Sequence, residues 1–318
     1  MMNELGPKRQ FIVGLGELLW DLLPDGRQLG GAPANFALMS ARLGNHAAVL
    51  SRIGRDEQGR DAVELLRNFP IDLGYVQVDP QHQTGVVTVE LNEGQASYRF
   101  AEPVAWDFLE FTPEWQQLAA RADAVCFGSL AQRSAISRRA IQSFLGATSS
   151  KCVRIFDVNL RQHYFSAEVL QESIELATIL KMNDSEVPVV MRQLDLDQDT
   201  SVAHSGVAGL INAAEKMMDE FPLKLVCITR GGEGSVLATR EEIHLHRGIS
   251  TQVADTVGAG DAYTAALTHY FLKGAPLEVL NEAGNRWGSW IASQQGAMAP
   301  MPDEVITSIA SQIGWTAE

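Results

Sequence analysis

From residue 124 onward the chain alternates short apolar runs with helical segments, and this limits the fold more than any other feature. The runs are Ala124–Phe127, Val153–Val158, Ile179–Met182 and Leu225–Thr229; Ser134–Leu145 and Val207–Met218 are among the helical segments that separate them. Mainly apolar runs of this length suit strands covered on both faces, so the succession predicts an α/β body, Rossmann-like, with a mainly parallel sheet flanked by helices. The first half begins the same way. Gln10–Leu15 reads as a buried strand, Pro33–Leu43 as a helix with Pro33 in its first turn and Gly44 as its stop, His46–Ile53 as a strand and Asp56–Phe69 as a helix. Between Thr84 and Phe100 the pattern changes: Gly85–Leu91 and Ala96–Phe100 flank an Asn92-Glu-Gly94 turn, a hairpin signal. Two more short strands, Ser235–Ala238 and Ile243–His246, precede a mostly helical C-terminal third. The expected organisation is one α/β domain over residues 1–318, with a small β lid drawn from about 17–30 and 84–105.

Charge narrows the partners. Lys and Arg number 25 against 39 acidic residues, a net charge of −14, which repels nucleic acid and anionic membranes. A small nucleotide is not repelled, because a few local donors and a magnesium ion reverse the potential within one cleft. Cys126, Cys152 and Cys227 lie far apart in apolar runs, which reads as buried free thiols of a reducing cytoplasm rather than a disulfide framework or zinc site. The apolar stretch Phe11–Leu23 contains Glu17 and Asp21 and lacks a cleavage site, so it reads as neither signal peptide nor membrane span.

Five stretches could carry chemistry. Asp255-Thr-Val-Gly-Ala-Gly-Asp261 leaves backbone N–H groups unshielded at a helix start, a natural anion site, with Asp261 one turn in. A carboxylate there is electrostatically awkward unless it takes a proton from a nucleophile attacking the anion, although a plain capped turn has the same spacing. Gly30-Gly-Ala-Pro-Ala-Asn35 lets a ligand approach the backbone, or is simply a tight turn before a proline-started helix. Thr229-Arg-Gly-Gly-Glu-Gly-Ser235 could cradle phosphate or merely join two strands. Asn183-Asp-Ser-Glu186 follows a strand at the end where α/β folds bind ligands, or begins a helix with acidic residues in its first turn. Asp157-Val-Asn-Leu-Arg161 spaces three polar residues two apart, as if on one strand face, with Arg161 as a clamp for an oxygen-rich ligand or as half of an ion pair. No glycine precedes a lysine, which excludes a Walker loop, and no HExxH or GxSxG is present.

In this order the stretches resemble the PfkB (ribokinase-like) family of carbohydrate kinases, from Phe11 to about Pro302. The N-terminal signature is Gly30, Gly31, Asn35, Ala37, Gly44 and Gly54; the C-terminal one is Asp255 to Asp261, with Asn183-x-x-Glu186 and Thr229-x-Gly231-x-x-Gly234 between them. The resemblance implies a ribokinase-like core with a β lid and ATP-dependent phosphorylation of a sugar hydroxyl. Under it, Asp261 is the catalytic base, and Gly258, Ala259 and Gly260 form the anion hole. Asn183, Thr229, Gly231, Gly234 and Asn285 match nucleotide contacts, and Glu186 the motif associated with Mg²⁺. Asp21, Gly31, Asn35 and Arg161 match sugar-side positions. The resemblance also carries a monovalent cation such as K⁺ beside the Asp255 segment, and a homodimer joined through the lid.

Within the family, Gly-Gly-Ala-Pro-Ala-Asn at 30–35, with Gly16-Glu-Leu-Leu-Trp-Asp21 and Pro24, is similar to bacterial fructokinases. Fructose is therefore the expected acceptor. Ketodeoxygluconate kinases share Asp-x-Asn-x-Arg and provide the alternative, and a non-catalytic sugar or nucleotide sensor is the alternative of another class. Trp287 and Trp290 depart from the small residues that relatives often carry near Asn285.

Overall fold

The computed structural model describes residues 9–23, 26–92, 95–196 and 206–316. Pro24, and Glu93 and Gly94 of the expected hairpin turn, lie outside these segments. The central sheet has nine strands, in the order Ile243–His246, Ser235–Ala238, Leu225–Thr229, Ile179–Asn183, Val153–Asp157, Ala124–Gly128, Phe11–Leu15, His46–Leu50 and Ile71–Asp72. The first two are antiparallel to their neighbours, and the strands from Leu225–Thr229 onward run parallel. This is the mainly parallel sheet that the apolar runs require.

Successive strand side chains point to opposite faces, and the sheet sorts them accordingly. Val13, Phe127, Phe156, Leu180 and Ile228 enter one core with the helices Ala135–Ala147, Ala167–Leu176 and Gly206–Glu220. Ile12, Cys126, Ile155, Ile179 and Cys227 enter the other, against Ala259–Leu272 and Leu277–Ala292, joined by Phe36 and Met39 of Ala32–Arg42. A fully buried side chain of this size contributes ~1.5–3 kcal/mol, so covering both faces is what holds these short strands in place. All three cysteines are buried and free.

Four strands pair in a separate sheet, in the order Gly26–Gly30, Leu19–Leu23, Gly85–Asn92 and Gln95–Phe100. Trp20 anchors it, donating from Nε1 to the Gln58 carbonyl at 2.9 Å. One expected strand is divided. His46–Leu50 lies in the central sheet, but Arg52–Gly54 leaves it to pair with Gln77–Asp79. The reason is electrostatic: the Arg52 side chain, 11% exposed, reaches Asp79 at 3.1 Å and Glu110 at 2.5 Å, partners that the apolar sheet interior lacks. A second ion pair is more deeply buried. Arg133 is bonded to both Asp107 oxygens at 2.8 Å and lies over the Trp106 ring.

Candidate active site

Because the strands around Phe11–Leu15 are parallel, Leu15, Gly128, Asp157, Asn183 and Thr229 all end at one edge of the sheet. The helix Ala259–Leu272 begins over that edge. Gly258 caps it in the left-handed region (φ 78°), and a Cβ there would meet Ala297 Cβ at 2.3 Å. Only glycine meets both demands. Of the amides expected to form the anion hole, Ala259 N–H is already bonded to Thr256 O at 3.2 Å. The next two amides are first-turn N–H groups without an intrahelical acceptor.

Asp261 lies in that first turn, half-buried, and accepts a hydrogen bond from Asn35 Nδ2 at 2.8 Å. Asn35 comes from the helix that Gly31 caps, where φ is 114° and a Cβ would meet Glu17 O at 2.5 Å. Two glycine-started helices, from opposite ends of the sequence, thus deliver one hydrogen-bonded pair. Desolvation by burial raises the Asp261 pKa to about 6; Asp157 adds to the rise, and Asn35, Lys181 and Arg161 oppose it.

Other charges converge here. Asp157 Oδ1 is 3.1 Å from Lys181 Nζ, and its Oδ2 accepts from Thr264 at 3.3 Å. Glu17 is 3% exposed and its Oε2 has no partner; burial pushes its pKa to about 7, with Arg161 opposing. Asp21, on the small sheet, is likewise raised to about 6 by burial, and Arg161 again lowers it. Arg161 is exposed, makes no salt bridge among the described residues, and its charge is felt by Glu17, Asp21 and Asp261. One expectation is corrected. Asp157, Asn159 and Arg161 do not share a strand face, because the strand stops at Asp157 and Asn159 (φ 42°) and Gln162 (φ 47°) turn left-handed. Glu17 and Lys181 were missed by sequence reasoning; the signal for Lys181 was a charged residue inside an apolar strand, on the face that carries Asp157.

Farther along the edge, Asn183 and Thr229 are register partners. Asn183 Oδ1 accepts from Glu186 N at 2.9 Å and from Ser185 Oγ at 2.6 Å, closing the turn. Glu186 accepts Leu160 N–H and Asn183 N–H, both at 2.8 Å, and so ties two of the edge loops together. Desolvation raises its pKa, with Lys181 opposing. The Thr229–Ser235 stretch is a turn between antiparallel strands. Gly231 (φ 53°) has open space around it. A Cβ on Gly234 (φ 92°) would lie 2.2 Å from His246 O, so the packing of residues 246–248 requires that glycine. Asn285 Nδ2 donates to Ser235 Oγ, whose residue is the register partner of Thr229, at 2.7 Å and to Asn281 O at 2.8 Å in a buried network with Tyr263. Trp287 fills the adjoining core. Among the described residues no three His, Cys, Asp or Glu side chains gather to hold a metal. The acidic groups present suit a hard cation whose other ligands are water and phosphate oxygens. No helix among these residues is long and apolar enough to cross a membrane.

Comparison with known proteins bears on the family and the fold. The sequence is 28% identical over 313 residues to the fructokinase of Escherichia coli, covering 91% of this chain and 95% of that one. A sugar kinase of Pyrococcus horikoshii, solved in complex with ATP, superposes with a TM-score of 0.76 at 26% identity, over 95% of this chain and 99% of that one. The Vibrio cholerae fructokinase with bound fructose, ADP and calcium shares the fold (TM-score 0.77, 24% identity, 94% and 98% covered). The pattern of the pfkB family carbohydrate kinases matches residues 25–304, and it is to this family that the chain belongs.

Proposed function

We propose that the protein transfers the γ-phosphoryl group of ATP to a hydroxyl of a free sugar, and that the sugar is fructose. The observation that carries the reading is the Asp261 carboxylate, held by Asn35 in the first turn of a helix whose leading amides face the same edge. With its pKa near 6, Asp261 is ionised at neutral pH yet more basic than a solvated aspartate. It accepts the proton of the substrate hydroxyl as that oxygen bonds to the γ-phosphorus and the bond to the bridging oxygen of ADP breaks. The amides behind Gly258 neutralise the phosphoryl oxygens. Asp21, Gly31, Asn35 and Arg161 orient the sugar, and Asn183, Thr229, Gly231, Gly234 and Asn285 serve the nucleotide side. Mg²⁺ would be held on the Glu186 side and would neutralise charge on the phosphates. In this reading the four-stranded sheet is the lid that excludes water, a K⁺ ion sits beside Asp255, two chains pair through their lids, and the setting is the cytoplasm, in keeping with three buried free thiols.

Fructose is favoured by the 30–35 sequence and by relatives named fructokinase. A coupled kinase assay at fixed Mg-ATP should give a higher kcat/KM for fructose than for ribose, ketodeoxygluconate or nucleosides. Preference for the sugar acid would transfer the assignment to that substrate and give Arg161 a carboxylate to bind. ATP turnover unaffected by every sugar would refute the kinase reading.

A further inference from the structure

Lys181 is the middle residue of the strand Ile179–Asn183, 7% exposed, in a stretch where its neighbours Leu180 and Met182 are fully buried. Strand alternation sends Ile179 and Lys181 to the face covered by Ala259–Leu272, the face that also receives Ile155 and Asp157. Its ammonium lies 3.1 Å from Asp157 Oδ1 and directly behind the anion-binding turn, since a Cβ on Gly260 would sit 3.2 Å from Nζ. Thr264 Oγ1, one helical turn beyond Gly260, lies 3.3 Å from Asp157 Oδ2 and 2.9 Å from Gly260 O, between which it shares its one hydrogen, and Asp157, Thr264 and Asp261 line one small cavity. Lys181 thus shares its surroundings with three carboxylates, Asp157, Glu186 and Asp261, and burial works against its own charge. Those carboxylates and the Asp157 hydrogen bond outweigh that cost and hold its pKa above the ordinary lysine value.

A buried ammonium behind a glycine is not a packing convenience, because an apolar side chain of similar length would fill the same space without desolvating a charge. We propose that Lys181 is a positioning residue for phosphoryl transfer: pinned by Asp157 beneath Gly260, it supplies the fixed positive charge that keeps Asp261 ionised among its acidic neighbours. The inference deepens the kinase reading and rests on it for its link to turnover, but its electrostatic core is tested without catalysis. The groups facing Asp261 are Asn35 and Glu17 from the N-terminal segment, Asp157 and Arg161 from the next strand and its loop, and Lys181. Of these, Lys181 and Arg161 oppose the acids, and only Lys181 is buried.

The experiment is a carbon-13 NMR titration of aspartate-labelled protein without ligands, with Asp261→Asn identifying the resonance. Lys181→Met should raise the Asp261 midpoint by at least about one pH unit, a tenfold gain in proton affinity, and Asp157→Asn should lower it. Should Lys181→Met not fold, Lys181→Gln, which keeps a donor toward Asp157 but no charge, should give the same upward shift. The acidic limb of the kcat/KM profile for the sugar should move with the midpoint. An unmoved Asp261 midpoint in a folded Lys181 variant overturns the proposal. A shifted midpoint in a protein that phosphorylates no sugar leaves the charge effect standing and sinks the kinase reading instead.

Discussion

Replacing Asp261 by asparagine separates chemistry from architecture. The amide is nearly isosteric and its oxygen can still accept from Asn35 Nδ2, so the two helix starts stay joined. It cannot take up a proton at neutral pH, and turnover should fall by at least about 10²-fold, the lower range for a general base. Stability should move the other way. Asp261 rises from 3.8 unfolded to about 6 folded, chiefly by desolvation. The folded chain therefore binds this proton more tightly than the unfolded one. That contribution is complete below about pH 3.8 and is lost as pH rises through about 6. A shift of about two pH units sets a ceiling of ~3 kcal/mol, and water access to a half-buried group reduces it to ~1 kcal/mol. At pH 8 the Asp261→Asn protein should thus melt above the wild type, with the gap narrowing at pH 5. Coupled steady-state kinetics, calorimetric binding of sugar and ATP, and melting curves at both pH values on one preparation test all parts. Wild-type turnover in the folded variant would refute the base assignment. A variant less stable than wild type at pH 8 would refute the electrostatic argument.

Three further substitutions probe other parts of the structure. Gly258→Ala forces a side chain onto Ala297 at a left-handed φ and should abolish turnover while leaving most of the fold intact by circular dichroism; near-normal activity would show that the turn is not the anion site. Arg161→Ala should raise the sugar KM about tenfold or more, the equivalent of ~1.5–3 kcal/mol for a charge-assisted hydrogen bond, and leave the ATP KM and melting temperature alone; an unchanged sugar KM removes Arg161 from the site. Asp107→Ala strands the Arg133 guanidinium, 5% exposed, and should cost ~3–5 kcal/mol in denaturant unfolding, whereas a loss below 1 kcal/mol would mean that water reaches Arg133.

The fold was legible wherever one physical rule dominated. Runs such as Leu225–Thr229 are apolar on both faces over most of their length, which marks them as interior strands. It was illegible where long-range charge intervened: Arg52 leaves the sheet for Asp79 and Glu110, partners 27 and 58 positions away by residue number. The glycine-started helices bearing Asn35 and Asp261 stood out because glycine, proline and carboxylate each have a local reason to be there. Glu17 and Lys181 did not, since their significance lies in which strands become neighbours. Asn285 shows what a motif match leaves out: the partners of its amide, Ser235 and Asn281, follow from the strand order and helix packing.

The Asn35–Asp261 hydrogen bond spans 226 positions of sequence, and the strand Phe11–Leu15 must wait for Ala124–Gly128 to fill its second side. A polypeptide made from its N-terminus therefore acquires Asp21, Gly31 and Asn35 early and Asp261 late. A ribosome stalled anywhere before codon 261 would leave Asn35 without its Asp261 partner and, on the proposed reading, the chain without its base. On the kinase reading, the order of synthesis therefore delays phosphoryl transfer until nearly the whole protein exists.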